Sequence, residues 1–584
     1  MKRALSFLLC LIMLSSVLLT ACNREDPPED KDDKQENSQS SDVVPMDPSD
    51  TSDTVDTSDQ NSDNHGQGND QDDNSDENQD ENLGGGGNGE NVENEENKPD
   101  ELVSSVVLED LIGTRYGSSV PKKTDGLDLS DVDENGYLND RLPSGEALEA
   151  LGIVGSEVKI LTWGGEHHRT FPKEDSTNDP IQSMLYYHWK GIEERFGITL
   201  KATYTESGYP QKKQFLTDAR AEDATYDLIQ TQSLFPIYLA QEGRLCNLVN
   251  LGYPDRAMPW WSDSLDEWVQ DGAMYFISSH SSMMSLSNLA VIFANNQMIG
   301  EKGLELPVDL TLSGRWTLDK MVKIAKTFAE DIPEASTGKY GFTVDHGSRL
   351  ATLYYACGFS GTVKQADGSV AYGFDEDSEV KVIGTALMQF KDLFTHNDVI
   401  VHSSDSAQEM YENRTALHLG YLEFMEGFRG DNENYTVVPL PMLHKQQYAV
   451  QGYRSVHRDY VDSWCIPKTS ANKTLAGMVL EANASSEYRN LAPIYCDWCL
   501  DDLYENKEQA EQMIAILRNS IIYDFGRASQ EASIGVEGYW NASFDKTSDL
   551  PWVRLFYNES RYLRNLKAEK LENLLNDFDT YKDQ

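Results

Sequence analysis

Aromatic and polar residues suited to ligand binding stand directly after two patterns typical of β-strands. Trp163 ends the first pattern, Glu157–Trp163 (EVKILTW), and Gly164 follows it. Gln232 and Ser233 follow the second pattern (YDLIQT). An aromatic ring stacks on the C–H faces of a ligand, amides and hydroxyls form hydrogen bonds, and glycine allows close approach of the backbone. These residues predict noncovalent binding of a small molecule, although Trp163 also suits a packed core position.

Two further groups of residues have the types, but not the spacing, for metal or redox chemistry. Cys496 and Cys499 form a CxxC pair in a helix-like stretch, without a second CxxC or a histidine at ligand spacing. We interpret them as a structural disulfide or as two free thiols. Glu166, His167 and His168 are adjacent in a loop, where neighbouring residues seldom chelate together. We therefore predict no metal, no cofactor and, because GxSxG, HExxH and P-loop patterns are also absent, no catalytic residue.

The N-terminus has the pattern of an exported and lipidated chain. A basic start precedes an apolar run at residues 5–19, which has the length of a signal peptide and is short for a membrane-spanning helix. The run ends in Leu-Thr-Ala-Cys, which resembles a bacterial lipobox and predicts lipidation of Cys22. The alternative is an ordinary secretory signal in which Cys22 is incidental. Lipidation would anchor the mature protein to the extracellular face of the cell membrane.

The net charge excludes several classes of protein. Among 584 residues, 98 acidic side chains outnumber 49 basic ones, which gives a formal charge of −49. Nucleic-acid binding requires a surplus of Lys and Arg, so we predict no nucleic-acid partner. Residues 23–100 carry 26 acidic and four basic side chains and few apolar ones. Such a segment cannot bury enough apolar area to offset chain entropy, so it is predicted to be a disordered linker.

Strand and helix patterns alternate in the part of the chain that follows. Apolar residues recur at helical spacing over residues 181–196 and stop at Gly197, and residues 198–204 form another strand pattern. A helix-compatible segment at residues 211–222 precedes the next strand pattern. This order predicts an α/β fold with a parallel sheet, which binds ligands beyond the carboxyl ends of its strands.

Seven segments occur in the order that is typical of one protein family. They include residues 435–442 (YTVVPLPM), similar to the motif YGVxPLP, and residues 464–470 (WCIPKTS), similar to xxIPKTS. The chain from residue 157 to 486 thus resembles the extracellular solute-binding proteins of family 1, the lipoprotein components of ABC sugar importers. The other five segments are residues 240–251, 271–277, 289–304, 307 with 315–328, and 415–424.

The resemblance implies a two-lobed periplasmic-binding-protein fold of type 2. Each lobe would contain a mostly parallel sheet flanked by helices, and the chain would cross a hinge near residues 278–290, 430–440 and 486–495. The implied division is a signal peptide at 1–21, a linker at 22–100, an N-terminal extension at 101–154, the first lobe at 155–285 and 436–487, the second lobe at 286–435, and a C-terminal helical part at 488–584 that belongs mainly to the second lobe.

The resemblance also adds candidate ligand contacts. Tyr421 matches an aromatic platform of the family, and Glu423 lies near it in sequence. Arg454 precedes the strand that returns to the first lobe, where a guanidinium would clamp hydroxyls or a carboxylate or would merely pair with a surface acid. Trp540, in a loop near the C-terminus, is a candidate for a second platform.

The implied function is capture of a carbohydrate, an oligosaccharide in particular, by hinge closure and its delivery to the permease of an ABC transporter. The protein would be a monomer held at the membrane by its lipid anchor. One alternative is a surface glycoside hydrolase or polysaccharide-binding protein, since acidic residues are abundant. Another is a peptide receptor of the same fold, although peptide termini favour charged clamps and sugars favour aromatic stacking.

Overall fold

A computed structural model describes most of the chain after residue 129, and the signal peptide and linker predicted at residues 1–100 lie outside it. The described residues are 130–134, 137–163, 169–172, 179–205, 212–220, 223, 225–233, 235–261, 265, 268–270, 272–328, 339–344, 347–365, 369–373, 399–401, 407–428, 434–458, 462–529 and 569–583.

The first sheet has four strands and forms the core of the first lobe. Its strands are β1 (Glu157–Trp163), β2 (Thr199–Thr205), β3 (Leu228–Gln232) and β11 (Asp462–Cys465), in the spatial order β11-β3-β1-β2. Strand β1 pairs in parallel with both β2 and β3, whereas β11 runs antiparallel to β3. The predicted parallel sheet is therefore confirmed, and a strand from much later in the chain completes it.

Helix α2 (Pro180–Phe196) joins β1 to β2 and has clear start and stop signals. The carboxylate of Asp179 accepts hydrogen bonds from the backbone N–H groups of Ile181 and Gln182, which lack partners within the first helical turn. Gly197 ends the helix with a φ of 63°, a left-handed conformation that glycine adopts without steric cost. Trp189, on the buried face of α2, lies 6.1 Å from the ring of Trp464 in β11. The predicted helix is confirmed.

The second sheet has five strands and forms the core of the second lobe. Strands β5, β8 and β9 are mutually parallel, whereas β4 runs antiparallel to its two neighbours, in the order β10-β4-β9-β5-β8. Each sheet is thus mostly parallel with one reversed strand, and the expected α/β fold class is confirmed. The strands are β4 (Ala290–Asn295), β5 (Tyr340–Val344), β8 (Val399–Val401), β9 (Thr415–Tyr421) and β10 (Tyr435–Val438), and a separate hairpin contains β6 (Thr362–Lys364) and β7 (Val370–Tyr372).

Helix α8 (Leu318–Thr327) lies against β5, as its apolar stripe predicts. Leu318, Met321 and Ala325 are all buried. Gly341 in β5 makes this contact possible, because an added Cβ would overlap the backbone carbonyl of Ala325. The remaining helices are α1 (Gly145–Ala150), α3 (Lys212–Ala219), α4 (Pro236–Gln241), α5 (Met283–Ser287), α6 (Asn296–Glu301), α7 (Pro307–Leu312), α9 (Thr352–Ala356), α10 (Gln408–Tyr411), α11 (Phe424–Phe428), α12 (Gln447–Val450), α13 (Lys473–Ser486), α14 (Ala492–Leu500), α15 (Lys507–Asn519), α16 (Phe525–Ala528) and α17 (residues 569–581).

Three segments cross between the two lobes. The first crossing, residues 278–289, leads from Ile277, which pairs with Trp464 of the first sheet, to β4. The second crossing, residues 439–458, returns the chain toward β11, and the two crossings pair with each other through Leu289 and His457. This second crossing lies later than the expected position near residues 430–440, because β10 still pairs with β4 in the second sheet.

The third crossing is a turn of π-helix, Glu487–Leu491, between α13 and α14. Helix α13 packs against α2 of the first lobe, whereas α14 packs against α11 of the second. The end of the chain then returns to the first lobe, since the hydroxyl of Tyr275 donates to the carbonyl oxygen of Phe578 in α17 at 2.7 Å. Within the described ranges, no helix combines the length and the apolar character that a membrane span requires.

A buried carboxyl group joins α13 to an aromatic segment of the first lobe. Glu481 is 1% exposed and accepts hydrogen bonds from the indole N–H of Trp260 at 2.9 Å, the indole N–H of Trp261 at 3.1 Å and the backbone N–H of Asp255 at 2.9 Å. Burial raises the pKa of Glu481 to about 8, although these N–H groups act in the opposite direction. The folded protein therefore retains a proton that the unfolded chain, with an ordinary carboxyl pKa, releases.

This difference in pKa predicts a pH-dependent stability. Because the pKa is raised by folding, the contribution of Glu481 is fully present below pH 4.5 and is lost as the pH rises toward about 8. One such group changes the free energy of unfolding by up to about 1.4 kcal/mol per pH unit. Glu481→Gln should therefore lose less stability than the wild type between pH 5 and 8, as measured by urea denaturation. The exposed Glu511→Gln is the control, and an equal pH dependence in all three proteins would contradict the prediction.

Candidate functional site

The first-lobe candidates lie at the carboxyl edge of the first sheet. Thr162 in β1 pairs with Gln230 in β3, so the last residues of these two strands, Trp163 and Gln232, reach the same edge. Ser233 follows β3 and is 1% exposed, whereas Gln232 is half-buried. The predicted placement at the ends of parallel strands is therefore correct for these residues. The predicted contacts Gly164 and Trp540, the lipidation site Cys22, the Glu166–His168 group and the side chain of Trp163 lie outside the described residues.

Tyr421 ends β9 in the second lobe and is covered by two arginines. The Cζ atom of Arg349 lies 4.4 Å, and that of Arg458 4.6 Å, from the centroid of the Tyr421 ring. The ring is only 2% exposed. Each guanidinium over an aromatic ring contributes about 0.5–2 kcal/mol, depending on how far water is excluded. The predicted aromatic platform thus has guanidinium partners in this conformation.

Glu423 connects the end of β9 to the first and second crossings. One oxygen of its carboxylate lies 3.1 Å from Nη1 of Arg458, and the Glu423 side chain is almost fully buried. The backbone N–H of Glu423 donates to the carbonyl oxygen of Ser287 at 2.7 Å, and that of Arg458 donates to Asn288 at 2.8 Å. Tyr421, Glu423 and Arg458 therefore form one group beside the hinge. Arg454, another predicted contact, donates from Nη2 to the hydroxyl of Ser360 at 3.0 Å.

An ion pair joins the two lobes directly. Arg169 follows β1 of the first lobe, and its Nη2 lies 2.8 Å from a carboxylate oxygen of Glu426 in α11 of the second lobe. Both side chains are mostly buried, at 13% and 17% exposure. The hydroxyl of Tyr495 donates to the other oxygen of Glu426 at 3.0 Å. Because this hydrogen-bonded pair is shielded from water, it is stronger than an exposed ion pair.

The pKa values agree with these roles. Burial lowers the pKa of Arg169, but its hydrogen bond to Glu426 and the nearby negative charge outweigh that effect and raise it. Burial raises the pKa of Tyr495 well above its ordinary value, and proximity to Cys499 and Glu426 adds to the shift. Arg169 is therefore cationic, and the Tyr495 hydroxyl keeps the proton that it donates to Glu426.

Sequence reasoning missed four residues of this site: Arg169, Arg349, Glu426 and Arg458. Glu426 lies 257 residues from Arg169 in the chain, and an isolated charged residue in a loop or short helix has no periodic pattern. A local signal existed only for Arg458, which stands four residues after the predicted Arg454 in the segment GYRSVHR.

The CxxC pair has no redox or metal-binding geometry. Cys496 and Cys499 lie in α14 as buried thiols with no disulfide between them, which is the second of the two alternatives that the sequence left open. Burial raises the pKa of Cys496 to about 11, so the reactive thiolate is scarce at neutral pH. In the part of the chain that the structure describes, no group of three His, Cys, Asp or Glu side chains could hold a metal ion.

Comparison with known proteins identifies a family for more than half of the chain. The family model described as "Bacterial extracellular solute-binding protein" matches residues 176–488. No curated protein matches the full sequence closely enough to count as a relative.

Several solved structures resemble this chain at low sequence identity. The GacH receptor of Streptomyces glaucescens GLA.O has 14% identity over 70% of this chain and 99% of its own, with a TM-score of 0.45. The maltose/maltodextrin-binding domain MalE from Bdellovibrio bacteriovorus has 12% identity over 71% and 100%, with a TM-score of 0.44. The sugar-binding protein MalE from Xanthomonas citri has 12% identity over 71% and 99%, with a TM-score of 0.48.

The burial of the inter-lobe ion pair predicts a measurable coupling energy. In a double-mutant cycle with Arg169→Gln and Glu426→Gln, we expect the two residues to be coupled by about 1.5–3 kcal/mol, as is typical of hydrogen bonds to charged groups. The free energy of unfolding from urea titrations gives this value.

The exposed pair Arg315–Glu305 provides the matched control. Its side chains are 48% and 43% exposed, so solvent screening should make its coupling clearly weaker than that of Arg169 and Glu426. Equal coupling energies for the two pairs would show that the Arg169–Glu426 contact does not hold the lobes together in solution.

Proposed function

Because the chain belongs to the bacterial extracellular solute-binding proteins, we propose that it captures a carbohydrate between its two lobes and delivers it unchanged to the permease of an ABC transporter. The family that seven sequence segments indicated is confirmed, and an extracellular location agrees with it. The ligand class, the permease and the lipid anchor belong to the proposal. Binding by lobe closure requires no catalytic residue, because a ligand that contacts both lobes favours the closed state.

The observation that carries this proposal is the contact between the two lobes at the predicted site. Arg169, from the carboxyl side of β1, reaches Glu426 in the second lobe. Leu422 and Glu423 are the two residues that connect α11 to β9, and Tyr421 is the last residue of β9. A ligand in this region would therefore touch groups from both lobes, which is the condition for ligand-driven closure.

The side chains at this site favour a sugar over a peptide. Sugars present C–H faces to aromatic rings and pairs of hydroxyls to planar guanidinium groups. The guanidinium groups of Arg349 and Arg458 would pair with sugar hydroxyls, while the buried ring of Tyr421 positions both groups. Trp163 at the edge of the first sheet would supply the aromatic surface.

The geometry does not favour the alternative of a glycoside hydrolase. Such an enzyme uses two carboxyl groups on opposite sides of the scissile bond, at separations of about 5–10 Å. Among the described residues of the site, the carboxylates of Glu423 and Glu426 are instead engaged by Arg458 and Arg169. These pairs give both carboxylates a structural role, at the hinge and between the lobes.

Binding of intact sugar is the expected result when the protein is mixed with a panel of oligosaccharides. A ligand present at 100 times its Kd stabilises the folded state by about 2.7 kcal/mol, which a thermal unfolding scan detects. Tyr421→Ala should reduce the affinity at least about 10-fold, because it removes the ring that positions two guanidinium groups.

Tyr187→Ala is the matched control, since this tyrosine is 68% exposed on α2. It should leave the affinity unchanged. Release of reducing ends from the sugars would contradict the receptor in favour of a hydrolase. Stabilisation by peptides and by none of the sugars would contradict the carbohydrate ligand.

We also propose that Cys22 carries the lipid that holds the protein at the membrane. Its position after the apolar run and the residues Thr20 and Ala21 support this. In the native host, Cys22→Ala should abolish processing at this site, so the uncleaved or untethered protein no longer fractionates as a lipid-modified membrane protein. Mass spectrometry of the N-terminal peptide provides the measurement. An unmodified Cys22 in the wild-type protein would contradict the anchor.

A further inference from the structure

The described part of the N-terminal extension packs into the folded body. Leu138, Leu142 and Leu148 are each at most 8% exposed and belong to the same hydrophobic core as the first sheet. Tyr137 stands at the start of this segment, and its ring lies 5.5 Å from that of Tyr488 in an edge-to-face arrangement. The extension, for which the sequence indicated no role, therefore contacts the third crossing.

Asp140 is the most strongly held residue of the extension. Its two carboxylate oxygens accept hydrogen bonds from Nη1 and Nη2 of Arg195, both at 2.7 Å. The same carboxylate accepts from Nη2 of Arg489 and from the hydroxyl of Ser485, each at 3.0 Å. The Asp140 side chain is only 3% exposed. Burial raises the pKa of Asp140, but the hydrogen bonds and charges of Arg195 and Arg489 outweigh it and lower the pKa.

The partners of Asp140 belong to two different parts of the fold. Arg195 lies near the end of α2 in the first lobe. Ser485 is in the last turn of α13, and Arg489 is in the π-helical crossing Glu487–Leu491. A π-helical turn is an irregularity that interrupts the regular hydrogen bonding of a helix and is common at functional sites. Asp140 thus fixes an irregular connecting turn to the rigid helix beside it.

Tyr488, next to Arg489, contacts two further elements, the first crossing and α15. Its ring lies 6.0 Å from that of His280 in the first crossing, and Cζ of Arg518 lies 5.3 Å from its centroid. Nη2 of Arg518 also donates to the carbonyl oxygen of Tyr488 at 3.2 Å. Arg518 is in α15, which packs against α7 of the second lobe. One tyrosine therefore contacts the extension, a crossing segment and a helix that contacts the second lobe.

We propose that the N-terminal extension is a clasp on the hinge, in which Asp140 and Tyr137 are positioning residues that keep the crossing segments ordered for lobe closure. This proposal rests on the proposed function in one respect, because lobe closure is the motion for which the hinge is kept ordered. A hinge that is ordered before the ligand arrives loses less conformational entropy on binding.

A purely structural role for the extension makes a different prediction. If the extension only covered the first lobe, loss of Asp140 would loosen the extension and its immediate partners. The first crossing, residues 278–289, which Asp140 does not contact, would then be unaffected. Amide hydrogen exchange distinguishes the two cases, because it measures local opening segment by segment without any ligand. The result therefore does not depend on which solute the protein binds.

The experiment compares hydrogen exchange, followed by mass spectrometry, in the full mature chain and in the variants Asp140→Asn and Tyr137→Ala. We expect each variant to accelerate exchange about 10-fold or more in residues 278–289 and 487–491, with strands β4 and β9 unchanged. Tyr137→Ala leaves the buried ion pairs in place, so it reports on the clasp even where Asp140→Asn does not fold.

Arg141→Ala is the matched control, since Arg141 is the next residue and its side chain is 52% exposed, with Asp255 as its ion-pair partner at 3.5 Å. It should not change exchange in the crossings. Acceleration confined to residues 130–153, or no acceleration in either variant, would overturn the proposal. Failure of the wild-type protein to bind any sugar would count against the proposed function, whereas hydrogen exchange in the crossings would still decide for or against the clasp.

Discussion

The ion pair between Arg169 and Glu426 is the contact on which the arrangement of the two lobes depends. It brings the segment after β1 against α11, and Tyr495 occupies the second oxygen of Glu426. Removing either partner would leave the other charge buried without compensation, which is costly in a region of low dielectric. In this conformation, the ion pair therefore favours the close approach of the segment after β1 to α11. A ligand changes the balance of open and closed states only by the difference in its contacts with each.

The charge of the predicted linker, residues 23–100, differs from the charge of the site. Nearly half of the net negative charge lies in residues 23–100, whereas the site combines arginines with carboxylates and an aromatic ring. Arg349 and Arg458 lie over Tyr421, and Arg458 also pairs with Glu423. Arginine suits such positions better than lysine because its planar group stacks on rings and forms paired hydrogen bonds in one fixed geometry. The overall acidity of the chain thus says little about the electrostatics of the site.

Local signals in the sequence predicted individual strands and helices, but they could not predict contacts between residues far apart in the chain. Strand β1 and helix α2 follow from the strand pattern of residues 157–163, the helical spacing of apolar residues over 181–196 and the stop at Gly197, whereas the cap at Asp179 comes from the structure. Tyr421 was found through the resemblance of its segment to a family marker. Arg169 and Glu426 could not be paired, because neither position has a periodic neighbour that reports on a partner 257 residues away. The second crossing was expected too early, because nothing in YTVVPLPM states which sheet the strand joins.

The buried cysteines have a consequence for how this protein resists oxidation. The five cysteines in the described ranges, at positions 246, 357, 465, 496 and 499, are all buried, and no disulfide joins them. Extracellular proteins often rely on disulfides, whose formation requires an oxidising compartment. In the described region, these sulfur atoms are enclosed by packing and are not cross-linked to one another. Burial keeps the sulfur atoms away from water and dissolved oxidants, so their protection depends on the intact fold.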